Sequence, residues 1–147
     1  MIQDLRALRA VRDGWEFIRH SRNAIVGNCN LATWTVGFNQ TGMRDLCFNL
    51  LLASAFSVLE DALKALRSEQ VFVSKDDRLR TMMKASHTVL PWQDWPLLNQ
   101  ARVERNASIH DRNYLPHALC RDYLAGIETE LVSWKILPTA APELWHW

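Results

Sequence analysis

Leu46-Cys-Phe-Asn-Leu-Leu-Leu-Ala-Ser-Ala-Phe-Ser-Val-Leu59 is the most apolar run in the chain. Wound at about 100° per residue it is apolar on nearly every side, so it has no face to turn to water. Such a helix belongs at the centre of a bundle. Interrupted by Asn49, Ser54 and Ser57, the run is too short to cross a bilayer, which needs about 20 apolar residues. Thr41 is the expected N-cap of a helix from Met43 to about Arg67, and its far end turns polar at Glu60, Asp61 and Lys64. Ser54, Ser57 and Asp61 form a polar stripe with two readings. It is ordinary solvation of a helix end, or Glu60 or Asp61 is the acid that orients an arginine on a neighbouring helix.

On the N-terminal side, Leu5, Leu8, Val11, Trp15, Ile18 and Ile25 recur at helical spacing against Arg6, Arg9, Arg12, Asp13 and Arg19. This predicts an amphipathic first helix from Ile2 to about Val26, stopped by Gly27, Asn28 and Asn30. Trp34, Val36 and Phe38 then alternate, which fits either an extended segment or an irregular connection, and residues 28–41 stay unassigned. On the C-terminal side, Ser74 with Asp77 resembles a capping box with Asp in place of Glu, opening a third helix through about Ser86 with Leu79, Met82 and Met83 inward. Asp94 is placed to cap a fourth helix that tolerates Pro96 in its first turn and runs to about Asp111, with Trp92 and Trp95 stapling its entrance to the core. Asn113 and Pro116 restart the chain into a fifth helix, Leu115 to about Leu137, with Leu119, Tyr123, Ile127, Leu131 and Trp134 inward. From Pro138 a proline- and tryptophan-rich tail ends in Trp145 and Trp147. Tryptophan is costly to leave in water, so the tail is expected to dock on its own body or on a second subunit. The chain therefore reads as one all-α domain over 1–147, an up-and-down bundle of about five helices.

Composition narrows the partners. With 147 residues, 48% of them hydrophobic, the chain is long enough for a real core, and a formal net charge of +1 argues against a general nucleic-acid coat. Any phosphate binding must come from a local cluster. Cys29, Cys47 and Cys120 are odd in number and far apart, so reduced thiols are expected in place of disulfides or a zinc site. The start, Met1-Ile-Gln-Asp-Leu-Arg6, lacks the apolar run of a signal peptide, and a cytoplasmic protein without membrane association is expected. No glycine-rich phosphate loop, nucleophile elbow or metal-ligand spacing is present, so neither cofactor nor metal is expected.

The local cluster is Arg102-Val-Glu-Arg105-Asn106-Ala-Ser-Ile-His110-Asp111, on the last turns of the fourth helix. Arg105 falls amid an arc formed by Leu98, Ala101 and Ile109, with Arg102 beside it and Asn106 and His110 one turn apart on its flank. A guanidinium is rarely buried unpaired. The arc therefore carries an arginine that snorkels or pairs with an acid, or one that opens onto a partner or ligand. Arg22-Asn23-Ala24-Ile-Val-Gly27 echoes this stretch but has glycine in the histidine's place, and it reads as chance.

Arg105-Asn106-Ala-Ser-Ile-His110 resembles the Arg, polar residue, three spacers, His signature of the HEPN superfamily, small helical bundles that include many prokaryotic toxin and antiviral ribonucleases. The resemblance implies a homodimer in which Arg105 and His110 of both subunits form one composite, metal-independent ribonuclease site. RNA supplies its own nucleophile, the 2'-hydroxyl, so such a site needs a base, an acid and a cation. Histidine is the side chain suited to both proton transfers near neutrality, and arginine grips two phosphate oxygens. Asn106, Arg102 and Tyr114 are the expected substrate contacts, and Glu60 or Asp61 the acid behind Arg105. RNA is then the expected substrate, DNA is not, and an antitoxin protein is a possible partner. Antitoxin-paired members carry a tyrosine two residues after the histidine that is adenylylated; Arg112 stands there, so control by adenylylation is not expected. The competing readings are a HEPN module that binds RNA, a nucleotide or a protein without cutting, and a helical adaptor that binds through its tail.

Overall fold

The computed structural model describes residues 1–35, 40–111 and 113–146, with side chains described for all of these except 29–35, 40, 41 and 111. Among the described residues the protein is all helical: α1 (Leu5–Thr35), α2 (Gln40–Ser68), α3 (Leu79–Ser86), α4 (Trp95–Asp111) and α5 (His117–Ser133), followed by a 3-10 turn at Pro142–Leu144. Helix α2 is the centre of the bundle, with α1, α3, α4 and α5 all packed on it. Phe48, Leu51, Leu52, Ala55, Phe56, Val58, Leu59, Ala62, Leu63 and Leu66 are buried along its length. The two serines that interrupt it satisfy themselves within the helix, Ser54 Oγ donating to Leu50 O and Ser57 Oγ to Ala53 O. Taken over Gly42–Ser68, α2 is also the one helix among the described residues long and apolar enough to cross a membrane, a length the Leu46–Leu59 run by itself lacks. Of its most apolar stretch 56% is buried in the bundle, while Leu50 is 61% exposed on the stripe it shares with Ser54, Ser57 and Asp61.

Helix α1 lays Leu8, Val11, Trp15 and Ile18 into the core at alternating steps of three and four, and Arg22 occupies the next position of the same stripe. Leu5, expected inward, is 78% exposed; Ile2, just ahead of the helix, takes the core position. The helix does not stop at Gly27 but continues to Thr35. Gly27 keeps a negative φ, so no left-handed cap forms there, and one glycine inside a helix costs only about 1 kcal/mol. Trp34 is therefore helical, while Val36 and Phe38 lie outside the described residues. Thr41 lies inside α2, not ahead of it.

The capping box at Ser74 does not form. Ser74 Oγ donates to Asp76 O, Asp76 Oδ1 accepts the Arg78 N–H, and α3 begins only at Leu79. Asp94 does cap α4, its Oδ1 accepting the Leu97 N–H at 3.0 Å. The buried carboxylate of Glu130 on α5 takes the next free donors, the N–H groups of Gln93 (2.8 and 2.9 Å) and Asp94 (2.7 Å). Trp92 meets Trp134 edge-on with ring centroids 4.7 Å apart, and Trp95 Nε1 donates to Met83 O, which fastens the start of α4 to the core. A Cβ on Gly126 would stand 3.1 Å from Leu97 and Leu98, so α5 approaches α4 closely there. Helix α5 starts at His117, two residues later than expected, because α2 caps it: Asp45 Oδ1 accepts the His117 N–H, and Asn49 exchanges hydrogen bonds with the backbone of Leu115. It ends at Ser133, where Lys135 turns left-handed at φ 58° and Ile136 N–H closes onto Leu131 O.

The tail docks on its own body. Trp145 is 3% exposed, 6.2 Å from the ring of Trp15, and its Nε1 donates to Glu128 Oε2. Trp147 lies outside the described residues.

Candidate functional site

The cluster read from the sequence lies on α4. Leu98 and Ala101 are buried, as expected for the inner arc, but Ile109 is 56% exposed and Ser108 takes the buried place, its hydroxyl donating to Arg105 O. Arg105 is half-buried at the edge of this face. Its guanidinium carbon stands 5.8 Å over the ring centroid of Phe56 on α2, and Nη1 donates to Asn106 Oδ1 at 3.0 Å. Arg102 is half-buried too, with Nη2 on Asn99 Oδ1 at 3.1 Å. In both, Nε is buried without a hydrogen-bond partner. Burial lowers the pKa of each below the ordinary arginine range; nearby Arg80 lowers Arg102 further, while Glu60 pulls Arg105 back up. Neither makes an ion pair among the described residues.

The acid expected behind Arg105 is therefore not bound to it. Glu60 spends its carboxylate on Lys64 Nζ at 2.6 Å, one turn along α2, and acts on Arg105 only through its field. Asp61 is exposed and adds to the field on Lys64. The Glu60 and Lys64 spacing was the signal for this, a favourable i,i+4 pair. Replacing either acid with alanine is accordingly expected to move stability by no more than about 0.5 kcal/mol in urea unfolding. A loss of about 3 kcal/mol or more would restore the pairing with Arg105.

Asn106 and His110 are exposed on the outer surface of α4, alongside Val103, which is 51% exposed. His110 makes no hydrogen bond among the described residues and does not touch Arg105 through one, so within a single chain the two signature residues are displayed rather than joined. Tyr114, just past α4, is 50% exposed, and Arg112 lies outside the described residues. His117 is committed to α2, with Nδ1 2.8 Å from Asp45 Oδ1. Arg22 repeats the local geometry of Arg105, its Nη1 donating to Asn23 Oδ1 at 3.0 Å, but on a buried stripe of α1 with no histidine following.

Cys120, Tyr123 and Glu104 are unsuited to proton transfer or covalent chemistry. Burial pushes the Cys120 thiol up to about 12, with Asp45 adding to it, so it stays protonated. Tyr123 is raised well above the usual phenol range by burial and by donating to Glu104 Oε2 at 2.6 Å. Glu104 is occupied by that bond and by Gln100. Sequence reading missed a second cationic group beside the cluster, Arg80 and Lys84 on α3, which line a cleft with Arg102. Their i,i+4 spacing was visible; that α3 sets them opposite α4 was not.

No family model, no curated protein and no solved structure matches this chain. The class that the fold defines is an all-helical bundle around a buried central helix.

Proposed function

We propose that the protein is a cytoplasmic, metal-independent endoribonuclease of HEPN toxin or phage-defence type, acting as a homodimer with Arg105 and His110 of both subunits in one composite site. What carries this reading is the state of α4: two half-buried guanidiniums with unpartnered Nε atoms and no carboxylate bound, beside an exposed Asn106 and an exposed His110. Cations held at that depth without an acid suit an anionic ligand. In the reaction one His110 takes the proton of the RNA 2'-hydroxyl, whose oxygen attacks the adjacent phosphorus. The 5'-oxygen leaves with a proton from the other His110, and Arg105 balances the charge of the phosphorane. Arg102, Asn106 and Tyr114 would hold the flanking phosphates and sugars.

Purified protein is expected to cut RNA in the presence of EDTA, leaving a 2',3'-cyclic phosphate and a 5'-hydroxyl, and to leave DNA uncut. Replacing the substrate's 2'-hydroxyl by hydrogen should abolish cleavage while keeping most of the binding. Cleavage that stops on metal removal, or leaves a 5'-phosphate, would sink the mechanism. Failure to cut any RNA would move the reading to a HEPN module that binds RNA, a nucleotide or a partner protein.

The exposed Val103 and Ile109 near His110 supply apolar surface for the pairing of two α4 helices. Light scattering at micromolar concentration is expected to give a dimer, with His110 of one subunit facing His110 of the other. A strict monomer, or a dimer with the two α4 surfaces turned apart, overturns the composite site. An antitoxin that covers α4 is the protein partner this reading implies.

A further inference from the structure

Between α3 and α4 lies a cleft of about 360 Å³ lined by Arg80, Lys84, His87, Trp95, Asn99 and Arg102. That volume is within the range of small-ligand sites, roughly 300 to 1,000 Å³. Two ridges face each other across it. Arg80, Lys84 and His87 follow one another at helical spacing on and just past α3; Trp95, Asn99 and Arg102 do the same on α4. The lining has three permanent cations and no carboxylate, and among the described residues none of Arg80, Lys84 and Arg102 makes an ion pair. In a chain of net charge +1 that is a local concentration of positive charge with nothing of its own to neutralise it. At the other end of the cleft, His87 and Trp95 lie nearly stacked, ring centroids 4.6 Å apart and planes 35° from parallel. The indole N–H of Trp95 is already used on Met83 O, so its ring serves as a surface and not as a donor.

Cations at one end and an aromatic pair at the other match the two parts of a nucleotide. Arg102 belongs both to this cleft and to the α4 cluster, one turn from Arg105 and Asn106. From Trp95 to Arg105 the helix rises about 15 Å, a distance that a strand of a few nucleotides spans. We infer that the α3–α4 cleft holds a nucleotide of the single-stranded RNA beyond the scissile position, its phosphate on Arg80, Lys84 and Arg102 and its base against Trp95 and His87; this rests on the ribonuclease reading of the α4 cluster. The cleft is thus an affinity site, separate from the residues that do the chemistry. Arg80 and Lys84 are both exposed, so replacing them does not disturb the core.

The test is fluorescence anisotropy of a short labelled single-stranded RNA on the full chain, together with steady-state cleavage of the same RNA. Arg80→Glu/Lys84→Glu is expected to weaken binding by about 10-fold or more and to reduce the slope of log affinity on log salt by about 1.4, two contacts at about 0.7 each. Cleavage should show a raised KM with kcat unchanged. Arg6→Glu/Arg9→Glu, the same charge change at exposed positions on α1, should leave both nearly unaltered. His87→Ala and Trp95→Leu, the latter checked for folding by circular dichroism, should weaken RNA but not a sulfated polysaccharide. If wild type cuts RNA and the α3 variant has an unchanged KM, the cleft is overturned while the ribonuclease reading stands. If wild type binds RNA without cutting and the α3 variant loses that binding, the cleft stands as a nucleotide-binding site, while its place beyond a scissile position falls with the catalytic reading. Equal weakening in the α1 control, or binding of the polysaccharide as sensitive to His87 as that of RNA, means the surface reads charge alone and overturns the nucleotide site.

Discussion

Glu128→Ala will destabilise the protein by about 3 to 5 kcal/mol, the range found when one partner of a buried charged network is removed. Glu128 is 1% exposed on α5, and its two oxygens tie α1 and the tail to that helix. Oε1 accepts Trp15 Nε1 at 2.9 Å and the Arg19 guanidinium at 2.7 and 2.9 Å, both from α1. Oε2 accepts the Ala141 N–H at 2.9 Å and Trp145 Nε1 at 3.0 Å, both from the tail. Alanine would leave two buried indole N–H groups without their acceptor and take from the Arg19 guanidinium, 14% exposed, its buried partner, leaving it Glu16 and Thr139 O. Urea unfolding reads the loss, and proteolysis should show the tail released. Wild-type stability for Glu128→Ala would mean that these bonds are replaced by water at little cost. The pH dependence separates this residue from its neighbour. Burial acts to raise the pKa of Glu128, but the hydrogen bonds from Trp15, Ala141, Trp145 and Arg19 outweigh it and hold the group below the usual glutamate range. With the folded pKa below the unfolded one, its contribution is present above the unfolded value and lost as pH falls through the folded one. Glu130 goes the other way: burial raises it and outweighs the bonds from Asp94 and Gln93. Its contribution is complete below the unfolded pKa and is lost as pH rises through the folded pKa. The stability difference between Glu130→Gln and wild type should therefore shift in the variant's favour as pH rises through that window, and the difference for Glu128→Gln should shift in the variant's favour as pH falls.

Under the proposed ribonuclease mechanism, His110→Ala will lower the cleavage rate by roughly 10²- to 10⁴-fold, the usual worth of a positioned proton-transfer group, and leave the melting curve nearly unchanged. The separation of the two effects follows from the placement of His110, exposed on the last turn of α4 with no hydrogen bond to lose among the described residues. Substitutions at such positions stay within about 0.5 kcal/mol. Arg105→Ala will behave differently. In that mechanism it loses rate and RNA affinity together, because the guanidinium would meet the phosphate in both the ground state and the transition state, and it loses some stability through Phe56. Mixing His110→Ala with Arg105→Ala protein is the informative complement: the heterodimer's composite site keeps one His110 and one Arg105, so it should exceed either variant alone but stay below wild type, since one of the two proton-transfer roles is missing. Full activity in His110→Ala alone would falsify the mechanism.

Several features followed from the sequence alone because they depend on residues close together in it. A run this apolar had to be buried over most of its surface, and all four other helices pack on α2, while Leu50, Ser54, Ser57 and Asp61 form an exposed stripe along it. Asp94 and Pro96 marked the start of α4 because a cap acts over three residues. The grouping of Arg102, Arg105, Asn106 and His110 on one helix needed only the helical repeat. Other features were decided by how the helices sit against one another. Whether Arg105 met an acid or an aromatic ring depended on the rotation of α4 against α2. The ring of Phe56 faces it, while Glu60 was within reach of Lys64 one turn away. Ser108 takes the buried place expected of Ile109 for the same reason, since a small rotation moves the boundary of the buried face by one residue. Glu128 and Glu130 acquire their roles only because the tail and the start of α4 fold against them. The α3–α4 cleft is the same kind of fact. Arg80 and Lys84 lie far from Arg102 in the chain, and only the packing of both helices on α2 sets them across one opening. Helical periodicity determines which side chains share a face; which face meets which neighbour is a long-range property of packing.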